Sequence, residues 1–309
     1  MRIVFMGSAG FACPCLERVI SSGRDEVVAV VTQPDRPKGR NLERTPCPVK
    51  YYLGSRQTPV LTPDRVNSPE SLTELKSLSP DLIVVVAYGQ LLKPALLAIP
   101  PLGCINVHGS LLPRYRGAAP IQWAVANGDA VSGVTTMVMN EGMDTGDVIL
   151  TREIPIDARE TGGSLHDKLA LVGAELLGET VDLIREGNAP RTPQDESLAS
   201  TAPKLKKSDG TMNWTLPARR IHNRVRAFNP WPGSFCEIPG NPGTMLKVLA
   251  TRVEPCDGPI HTAGTILEAA GDGPLIQTAD LAIRLLEVQP EGRKPMSGAA
   301  FLRGYRGLN

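Results

Sequence analysis

The chain has 309 residues, of which 41% are hydrophobic and 21% charged, and these values fit a folded protein with two domains and buried cores. The net charge of +1 is unevenly spread, because residues 204–309 hold 14 Lys and Arg against 9 Asp and Glu, whereas residues 1–203 hold 19 against 23. The longest apolar run, residues 82–88, is far shorter than the ~20 residues that span a bilayer, which excludes a membrane-spanning helix.

The first half of the chain alternates short β-branched apolar runs with amphipathic segments. Runs of this length are typical of strands buried on both faces of a parallel sheet. Ser68 and Pro69 predict the start of a helix that ends before Pro80, and a longer helix is predicted from about Ser164 to Gly187. The alternation predicts a doubly wound, Rossmann-like α/β domain. Its predicted strands are residues 3–6, 27–32, 82–87, 105–107 and 134–139.

A turn containing Gly7 and Gly10 follows the first predicted strand. It lacks the full G-x-G-x-x-G pattern of a dinucleotide site. A tight strand-to-helix turn is therefore the favoured interpretation, with a dinucleotide site as the alternative.

The pattern changes after Gly187. Residues 189–206 are rich in Pro, Ser, Thr and Ala without clear periodicity, which predicts a linker between a domain at 1–188 and another at 207–309. Short strand-like pieces separated by Gly, Pro and Asp turns then predict a small antiparallel β-barrel. These pieces are residues 244–251, 264–267, 275–278 and 281–289.

The six cysteines form no C-x-x-C pair and the four histidines form no cluster, so no metal site is expected. The N-terminus leads directly into the first predicted strand without a charged-then-apolar leader. These features are typical of a cytoplasmic protein with reduced thiols. Because no self-complementary surface is evident in the sequence, we expect a monomer.

Asn106 and His108 are the polar residues that best suggest a reactive site. They lie two apart in a predicted strand and so project from the same face, at a carboxyl end where open α/β sheets bind ligands. An asparagine N–H can stabilise a developing oxyanion, and a histidine can carry a proton. A hydrogen-bonded strand-end pair without a catalytic role is the alternative.

A carboxylate close to the imidazole would fix its tautomer and favour its charged form. The candidates are Glu141, Asp144 and Asp147, in a glycine-containing loop after the next predicted strand. Glycines in this loop let the backbone bend close to a ligand. The spacing alone does not choose among the three carboxylates.

The motif Asn106-x-His108, the segment Ser110-Leu-Leu-Pro113 and Asp144 in a Gly-Met-Asp-Thr-Gly loop together resemble the 10-formyltetrahydrofolate-dependent formyltransferase family. The resemblance implies that Asn106, His108 and Asp144 are the catalytic set, that 10-formyltetrahydrofolate is the formyl donor, and that no metal is used. It also implies a folate site formed by Ser110, Leu111, Leu112, Pro113, Val86, Tyr88, Gly89, Gln90, Leu91, Leu92 and Gly142.

Within the family, the chain is similar to members whose acceptor is methionyl initiator tRNA. The similarity rests on Gln33-Pro-Asp-Arg-Pro-Lys-Gly-Arg40, on residues 114–122 and on three tail motifs at 204–207, 212–214 and 226–233. It implies a C-terminal OB-like barrel that binds the acceptor arm. The implied tRNA-facing residues are Arg36, Arg40, Arg44, Lys204, Lys206 and Lys207. The turn after the first strand departs from the family's Gly-Thr-Pro-x-Phe, since this chain has Gly7-Ser8-Ala-Gly-Phe11.

Three other functions remain open at the level of sequence. The acceptor could be the amine of an amino sugar or nucleotide, or water could replace the amine and make the chain a formyltetrahydrofolate hydrolase. A non-catalytic RNA-binding protein on the same scaffold is the third. The lysines at 204–207 also have an alternative interpretation as an ordinary solvated cluster.

Overall fold

The structure is a computed structural model that describes residues 1–38, 43–238, 241–256 and 261–304. The chain divides into two compact units. The first unit contains Met1–Pro120, Ser132–Ile154 and His166–Ala202, and the second contains Ile121–Val131, Pro155–Leu165 and Pro203–Asn309. No helix in the described ranges is long and apolar enough to cross a membrane.

The described elements alternate between strands and helices in the first part of the chain. The strands are β1 (Arg2–Gly7), β2 (Glu26–Val31), β3 (Arg36–Lys38), β4 (Glu43–Thr45), β5 (Val60–Leu61), β6 (Leu82–Val86), β7 (Cys104–His108), β8 (Val131–Val138), β9 (Val148–Pro155), β10 (Ser234–Ile238), β11 (Asn241–Glu254), β12 (Ile266–Glu268), β13 (Leu275–Gln277), β14 (Ala282–Pro290) and β15 (Met296–Ser297). The α-helices are α1 (Ala12–Ser21), α2 (Pro48–Leu53), α3 (Pro69–Ser77), α4 (Pro94–Leu97), α5 (Pro120–Asn127), α6 (Gly162–Arg185), α7 (Ala218–Ala227) and α8 (Gly298–Gly304).

The first unit is built on a seven-stranded sheet with the order β5-β2-β1-β6-β7-β8-β9. The pairs β5–β2, β2–β1, β1–β6 and β6–β7 are parallel, and β8 runs antiparallel to β7. The chain moves outward from β1 through β2 to β5 and then returns to the other side of β1 at β6. This reversal of direction is the switch point of a doubly wound sheet, and it confirms the predicted Rossmann-like fold.

The predicted helix ends in this unit are confirmed at the residues that specify them. Ser68 caps α3 by accepting a hydrogen bond from the Ser71 backbone N–H at 3.3 Å, and Pro69 is the first helical residue. Gly187 follows the end of α6 with a φ of +70°, a conformation that glycine adopts without the Cβ clash of other residues.

The second unit contains a six-stranded sheet with the path β10-β11-β14-β13-β12, and β15 pairs with β14. Every recorded pair in it is antiparallel. The apolar face of α7, with Ile221 and Val225, packs in one buried cluster with Leu246, Leu285 and Phe301. The predicted antiparallel β domain is therefore confirmed.

Residues 189–202, which the sequence predicts as part of a linker, lie within the first unit. Thr192 exchanges two backbone hydrogen bonds with Val148, at 2.8 and 2.9 Å. The Arg116 N–H donates to the Ser200 carbonyl at 2.8 Å, and the Ala202 N–H donates to the Arg116 carbonyl at 2.7 Å. These contacts join residues far apart in sequence, so local composition gave no sign of them.

Candidate active site

The strand β7 places Asn106 and His108 on one face of the sheet, in line with their spacing. Both neighbours of β7 are paired with it along this stretch: Asn106 lies opposite Val85 of β6 and Met137 of β8, and His108 lies opposite Thr135. Asn106 is half-buried and His108 is buried. A sheet paired on both sides holds the two side chains in fixed positions.

The hydrogen bonds of His108 define which ring nitrogen carries a proton. Its Nε2 lies 2.9 Å from the carbonyl oxygen of Tyr115. A carbonyl can only accept, so Nε2 carries the hydrogen and donates it. On the other side of the ring, Nδ1 lies 3.7 Å from Oδ2 of Asp144. The ring therefore has one nitrogen tied to the backbone and the other facing a carboxylate.

Asp144 joins Asn106 and His108. Its Oδ2 accepts a hydrogen bond from the Gly117 N–H at 2.8 Å, and its Oδ1 accepts from Asn106 Nδ2 at 3.5 Å. Glu141 is exposed, and neither it nor Asp147 has a recorded contact with His108 among the described residues. The structure thus brings one of the three candidate carboxylates to the strand pair.

The backbone of Asp144 has a φ of +55°, which is uncommon for a non-glycine residue. Gln194 holds it there, since its Nε2 donates to the carbonyl oxygens of Asp144 at 2.9 Å and Gly146 at 2.7 Å. The Gln194 Oε1 in turn accepts from Arg116 at 2.8 and 3.1 Å. The sequence did not indicate Gln194, because it lies in the predicted linker.

The loop that carries Asp144 is also fixed from within. The Asn140 side-chain oxygen accepts from the Gly142 N–H at 3.0 Å and from the Thr145 hydroxyl at 2.8 Å. A Cβ at Gly146 would lie 1.7 Å from the Val138 carbonyl oxygen, so that position admits only glycine in this backbone. Gly142, predicted to contact folate, is exposed.

The segment Ser110–Pro113, predicted to line the folate site, follows directly after β7. Ser110 is buried, and its hydroxyl donates to the Arg114 carbonyl at 2.7 Å. The Thr135 hydroxyl donates to the Ser110 carbonyl at 2.7 Å and accepts from the Leu112 N–H at 3.1 Å. Leu112 is buried, whereas Leu111 and Pro113 are half-buried. The polar groups of this segment thus fix the conformation of the loop through hydrogen bonds. The side chains that remain partly accessible, Leu111 and Pro113, are apolar.

The segment 86–92, also predicted to line the folate site, follows β6. Val86, Tyr88 and Leu92 are buried, and burial raises the pKa of the Tyr88 phenol to about 12. Gln90 binds the loop before α3, because its Oε1 accepts from the Val66 N–H at 3.0 Å and its Nε2 donates to the carbonyls of Pro63 and Asp64. Gly89 and Leu91 are exposed and form the accessible part of the segment.

The predicted tRNA-facing residues divide between the two units. Arg36 and Arg44 are exposed on the hairpin formed by β3 and β4 in the first unit, and Arg40 lies outside the described residues. Lys204, Lys206 and Lys207 are exposed in the second unit. Within the described ranges, no group of three or more His, Cys, Asp or Glu side chains is placed to hold a metal ion.

This arrangement brings an amide donor, an imidazole and a carboxylate into one cluster, in which Asn106 hydrogen-bonds to Asp144 and His108 lies 3.7 Å from it. Asn106 can donate to an oxyanion, while His108 can transfer a proton and Asp144 can stabilise the charged ring. No serine or cysteine nucleophile is part of the group. The geometry therefore suits direct attack by an external nucleophile on an activated carbonyl.

Comparison with known proteins identifies the fold in solved structures. The chain matches HypX from Aquifex aeolicus in complex with tetrahydrofolic acid, with a TM-score of 0.63 and 18% identity, over 98% of this chain and 47% of that one. It also matches an N-formyltransferase from Helicobacter canadensis, with a TM-score of 0.65 and 18% identity, over 94% of this chain and 99% of that one. At identities this low, the match shows only that the folds are similar.

Other relatives share a much larger fraction of this sequence than the proteins of those two structures do. The methionyl-tRNA formyltransferase of Geobacter sulfurreducens is 48% identical over 99% of this chain and 94% of its own length. That of Desulforamulus reducens is 47% identical over 98% of this chain and 95% of its own. The formyl transferase family matches residues 1–181, and the formyl transferase C-terminal domain matches residues 204–306. The chain therefore belongs to the formyl transferase family.

Proposed function

We propose that the chain transfers the formyl group of 10-formyltetrahydrofolate to the α-amino group of methionine esterified to initiator tRNA. The observation that carries the proposal is the joined group of Asn106, His108 and Asp144 in a chain that is close to half identical, over almost its whole length, to enzymes named for this reaction. The exposed lysines of the second unit support a polyanionic acceptor.

The reaction requires an amine to attack the formyl carbon and the folate nitrogen to leave. An α-amine has a free pKa of ~8, so a substantial fraction is neutral at working pH and needs no strong base. Attack forms a C–N bond and a tetrahedral centre with a negative oxygen. The Asn106 amide N–H is the donor placed for this oxygen, a role worth ~3–4 kcal/mol in comparable sites.

The proton then moves from the attacking nitrogen to the leaving nitrogen of the folate. His108 is the group that can hold it in transit, because Asp144 stabilises the doubly protonated ring while the Tyr115 carbonyl keeps the ring oriented. Collapse of the tetrahedral centre breaks the bond to the folate nitrogen. The products are formylated methionyl-tRNA and tetrahydrofolate, and because the amine attacks the formyl carbon directly, no acyl-enzyme forms.

The folate would bind against the loops on either side of this group. The residues that fit are the half-buried apolar Leu111 and Pro113 after β7 and the exposed backbone at Gly89 and Leu91 after β6. Apolar side chains together with accessible backbone polar groups are typical of surfaces that bind small organic ligands. We further propose that the chain acts as a monomer in the cytoplasm, without a metal.

Formyl transfer with purified chain and 10-formyltetrahydrofolate tests the proposal. Three acceptors are compared: methionyl initiator tRNA, the same tRNA uncharged, and none. Transfer to the charged tRNA alone is the expected result. Release of formate in every reaction would instead identify a hydrolase, and transfer to an amino sugar nucleotide in preference to the charged tRNA would identify a sugar-modifying enzyme.

A further inference from the structure

The backbone at Tyr115, whose carbonyl accepts the hydrogen bond from His108, has an uncommon conformation. Its φ is +61°, in the left-handed region that a residue with a bulky side chain rarely adopts. Tyr115 is also buried, so its surroundings restrict it on several sides. A residue keeps such a conformation only where the surrounding contacts impose it. The groups that hold Tyr115 therefore decide where the acceptor for His108 lies.

The peptide unit before the Tyr115 Cα is held by two serine hydroxyls. Its carbonyl, which belongs to Arg114, accepts from the Ser110 hydroxyl at 2.7 Å. Its N–H, which belongs to Tyr115, donates to the Ser200 hydroxyl at 2.9 Å. Ser110 follows β7 directly, whereas Ser200 lies 85 residues after Tyr115, in the segment 189–202. A residue distant in sequence thus holds one side of the left-handed turn.

The peptide unit after the Tyr115 Cα is held by the catalytic histidine and again by Ser200. Its carbonyl accepts from His108 Nε2 at 2.9 Å, and its N–H, which belongs to Arg116, donates to the Ser200 carbonyl at 2.8 Å. Ser200 therefore binds both peptide units that meet at Tyr115. Its hydroxyl fixes the first unit and its backbone fixes the second, so the angle between the two units depends on this one residue.

The hydroxyl of Ser200 can be separated from the docking of its segment. The Ser200 N–H donates to the Pro113 carbonyl at 3.3 Å, and the Ala202 N–H donates to the Arg116 carbonyl at 2.7 Å. These bonds, like the one to the Ser200 carbonyl, are made by backbone atoms and do not need the serine side chain. Removal of the hydroxyl should therefore leave the segment in place and release only the Tyr115 N–H.

We propose that Ser200 is a positioning residue for His108. Its hydroxyl holds Tyr115 in the left-handed conformation, and the Tyr115 carbonyl in turn fixes the rotation of the imidazole and the nitrogen that carries its hydrogen. Ser200 acts through Tyr115, because its recorded contacts in the described part of the chain are with the backbone around Tyr115. The inference rests on the proposed function for the catalytic role of His108.

Ser200→Ala tests the proposal by kinetics. The variant leaves the Tyr115 N–H without its acceptor, so the carbonyl that orients His108 should lose its fixed position. We expect kcat for formyl transfer to fall about tenfold, while the KM values for methionyl-tRNA and 10-formyltetrahydrofolate stay within about twofold. Ser200→Thr retains the hydroxyl and should restore most of the rate.

Ser197→Ala is the matched control, because Ser197 lies in the same segment, is exposed, and directs its hydroxyl to Asp195. It should have wild-type kinetics. Melting temperatures followed by far-UV circular dichroism establish that the variants are folded at the assay temperature.

The imidazole itself provides a readout that a loss of stability alone would not change. Two-bond ¹H–¹⁵N correlation spectra at alkaline pH report which ring nitrogen carries the hydrogen, and His108→Gln identifies the signals of His108. We expect the wild type to show the tautomer with hydrogen on Nε2, as the bond to Tyr115 requires. Ser200→Ala should shift these signals towards a mixture of the two tautomers.

Three results would overturn the assignment of Ser200. These are a wild-type kcat in Ser200→Ala, an equal loss in Ser200→Thr or Ser197→Ala, and a reduced kcat with unaltered His108 signals. A wild-type chain that does not formylate methionyl-tRNA would overturn the proposed function instead. The spectra need no substrate, so even then they decide whether Ser200 controls the histidine.

Discussion

At the scale of single residues, the central feature is one carboxylate that contacts both polar side chains of β7. Asp144 accepts from Asn106 and from the Gly117 backbone and lies 3.7 Å from His108. It does not face solvent freely, since its side chain is only 15% exposed. Solvent and salt screen a charge in such surroundings less than a charge on the open surface.

Asp144→Asn tests this role. The amide oxygen can still accept from Gly117, so the loop should keep its place, but the charge that stabilises a protonated His108 is lost. We expect kcat to fall about 100-fold or more, with little change in the KM for methionyl-tRNA. Steady-state kinetics measure both. Asp147→Asn, the same change in the same loop, serves as control and should stay close to wild type. Equal losses in the two variants would contradict the assignment.

The sequence predicted this site in part, for physical reasons that differ between residues. Asn106 and His108 were paired correctly on one face because a strand repeats every two residues. Asp144 could not be separated from Glu141 and Asp147 by spacing, because a glycine-containing loop has no fixed repeat. What selects Asp144 is the loop geometry and the Gly117 amide, and both depend on contacts distant in sequence.

At the scale of elements, strands buried on both faces were the easiest to predict. Every residue of β6 is buried, so it forms a continuous apolar run. The strand β9 was missed, because its burial alternates along an edge of the sheet and its sequence mixes Thr, Arg and Glu with apolar residues. The segment 189–202 differs most from its predicted structure. It is predicted as a linker, but backbone hydrogen bonds to Val148 and Arg116 hold it in the first unit.

That segment should act on catalysis through Gln194. Gln194→Ala removes both hydrogen bonds to the Asp144 loop, so the carboxylate should lose its fixed position relative to His108. Small misplacements of this kind reduce rate strongly, and we expect kcat to fall about tenfold with the KM for methionyl-tRNA nearly unchanged. Glu196→Gln is the control, because it removes only the exposed partner of Arg116, a contact worth about 0–1 kcal/mol. A fall in melting temperature without a fall in kcat would show that Gln194 only stabilises the fold.

The helix α7 provides a second test at this scale, in its response to pH. His222 lies 2.9 Å from the Thr251 hydroxyl, and burial, with Arg226 and Arg219 nearby, lowers its pKa from 6.5 to about 4. Between these two values the unfolded chain binds more protons than the folded chain. Stability should therefore fall as the pH drops from above 6.5 towards 4. Allowing for the partial exposure of His222, the loss should be about 2 kcal/mol.

Urea unfolding at pH 7 and pH 5 measures this loss in the wild type and in His222→Gln. The variant cannot gain the proton, so its free energy of unfolding should fall less between the two pH values. His261→Gln, the same change at an exposed histidine, should retain the wild-type dependence. If His222→Gln lost as much stability as the wild type, another group would be responsible.

At the scale of the whole molecule, the position of the charges matters more for binding a polyanion than the net charge does. The net charge is +1, but residues 204–309 carry an excess of five positive charges. Binding to a polyanion releases counterions, and each phosphate contact adds about one unit to the slope of log affinity against log salt. Lys206 and Lys207, both exposed, are the residues through which we expect this dependence to arise.

The double substitution Lys206→Gln and Lys207→Gln should therefore raise the KM for methionyl-tRNA and reduce its salt slope by about one to two units. The kcat at saturating tRNA should stay near wild type, because neither lysine belongs to the proposed catalytic group of Asn106, His108 and Asp144. Arg65→Gln with Lys76→Gln removes the same charge from exposed positions of the first unit and is the matched control. Kinetics from low to moderate salt measure the slopes. Equal slopes in the two double variants would mean that the lysines act only through net charge, whereas a change confined to Lys206 and Lys207 would place tRNA phosphates against them.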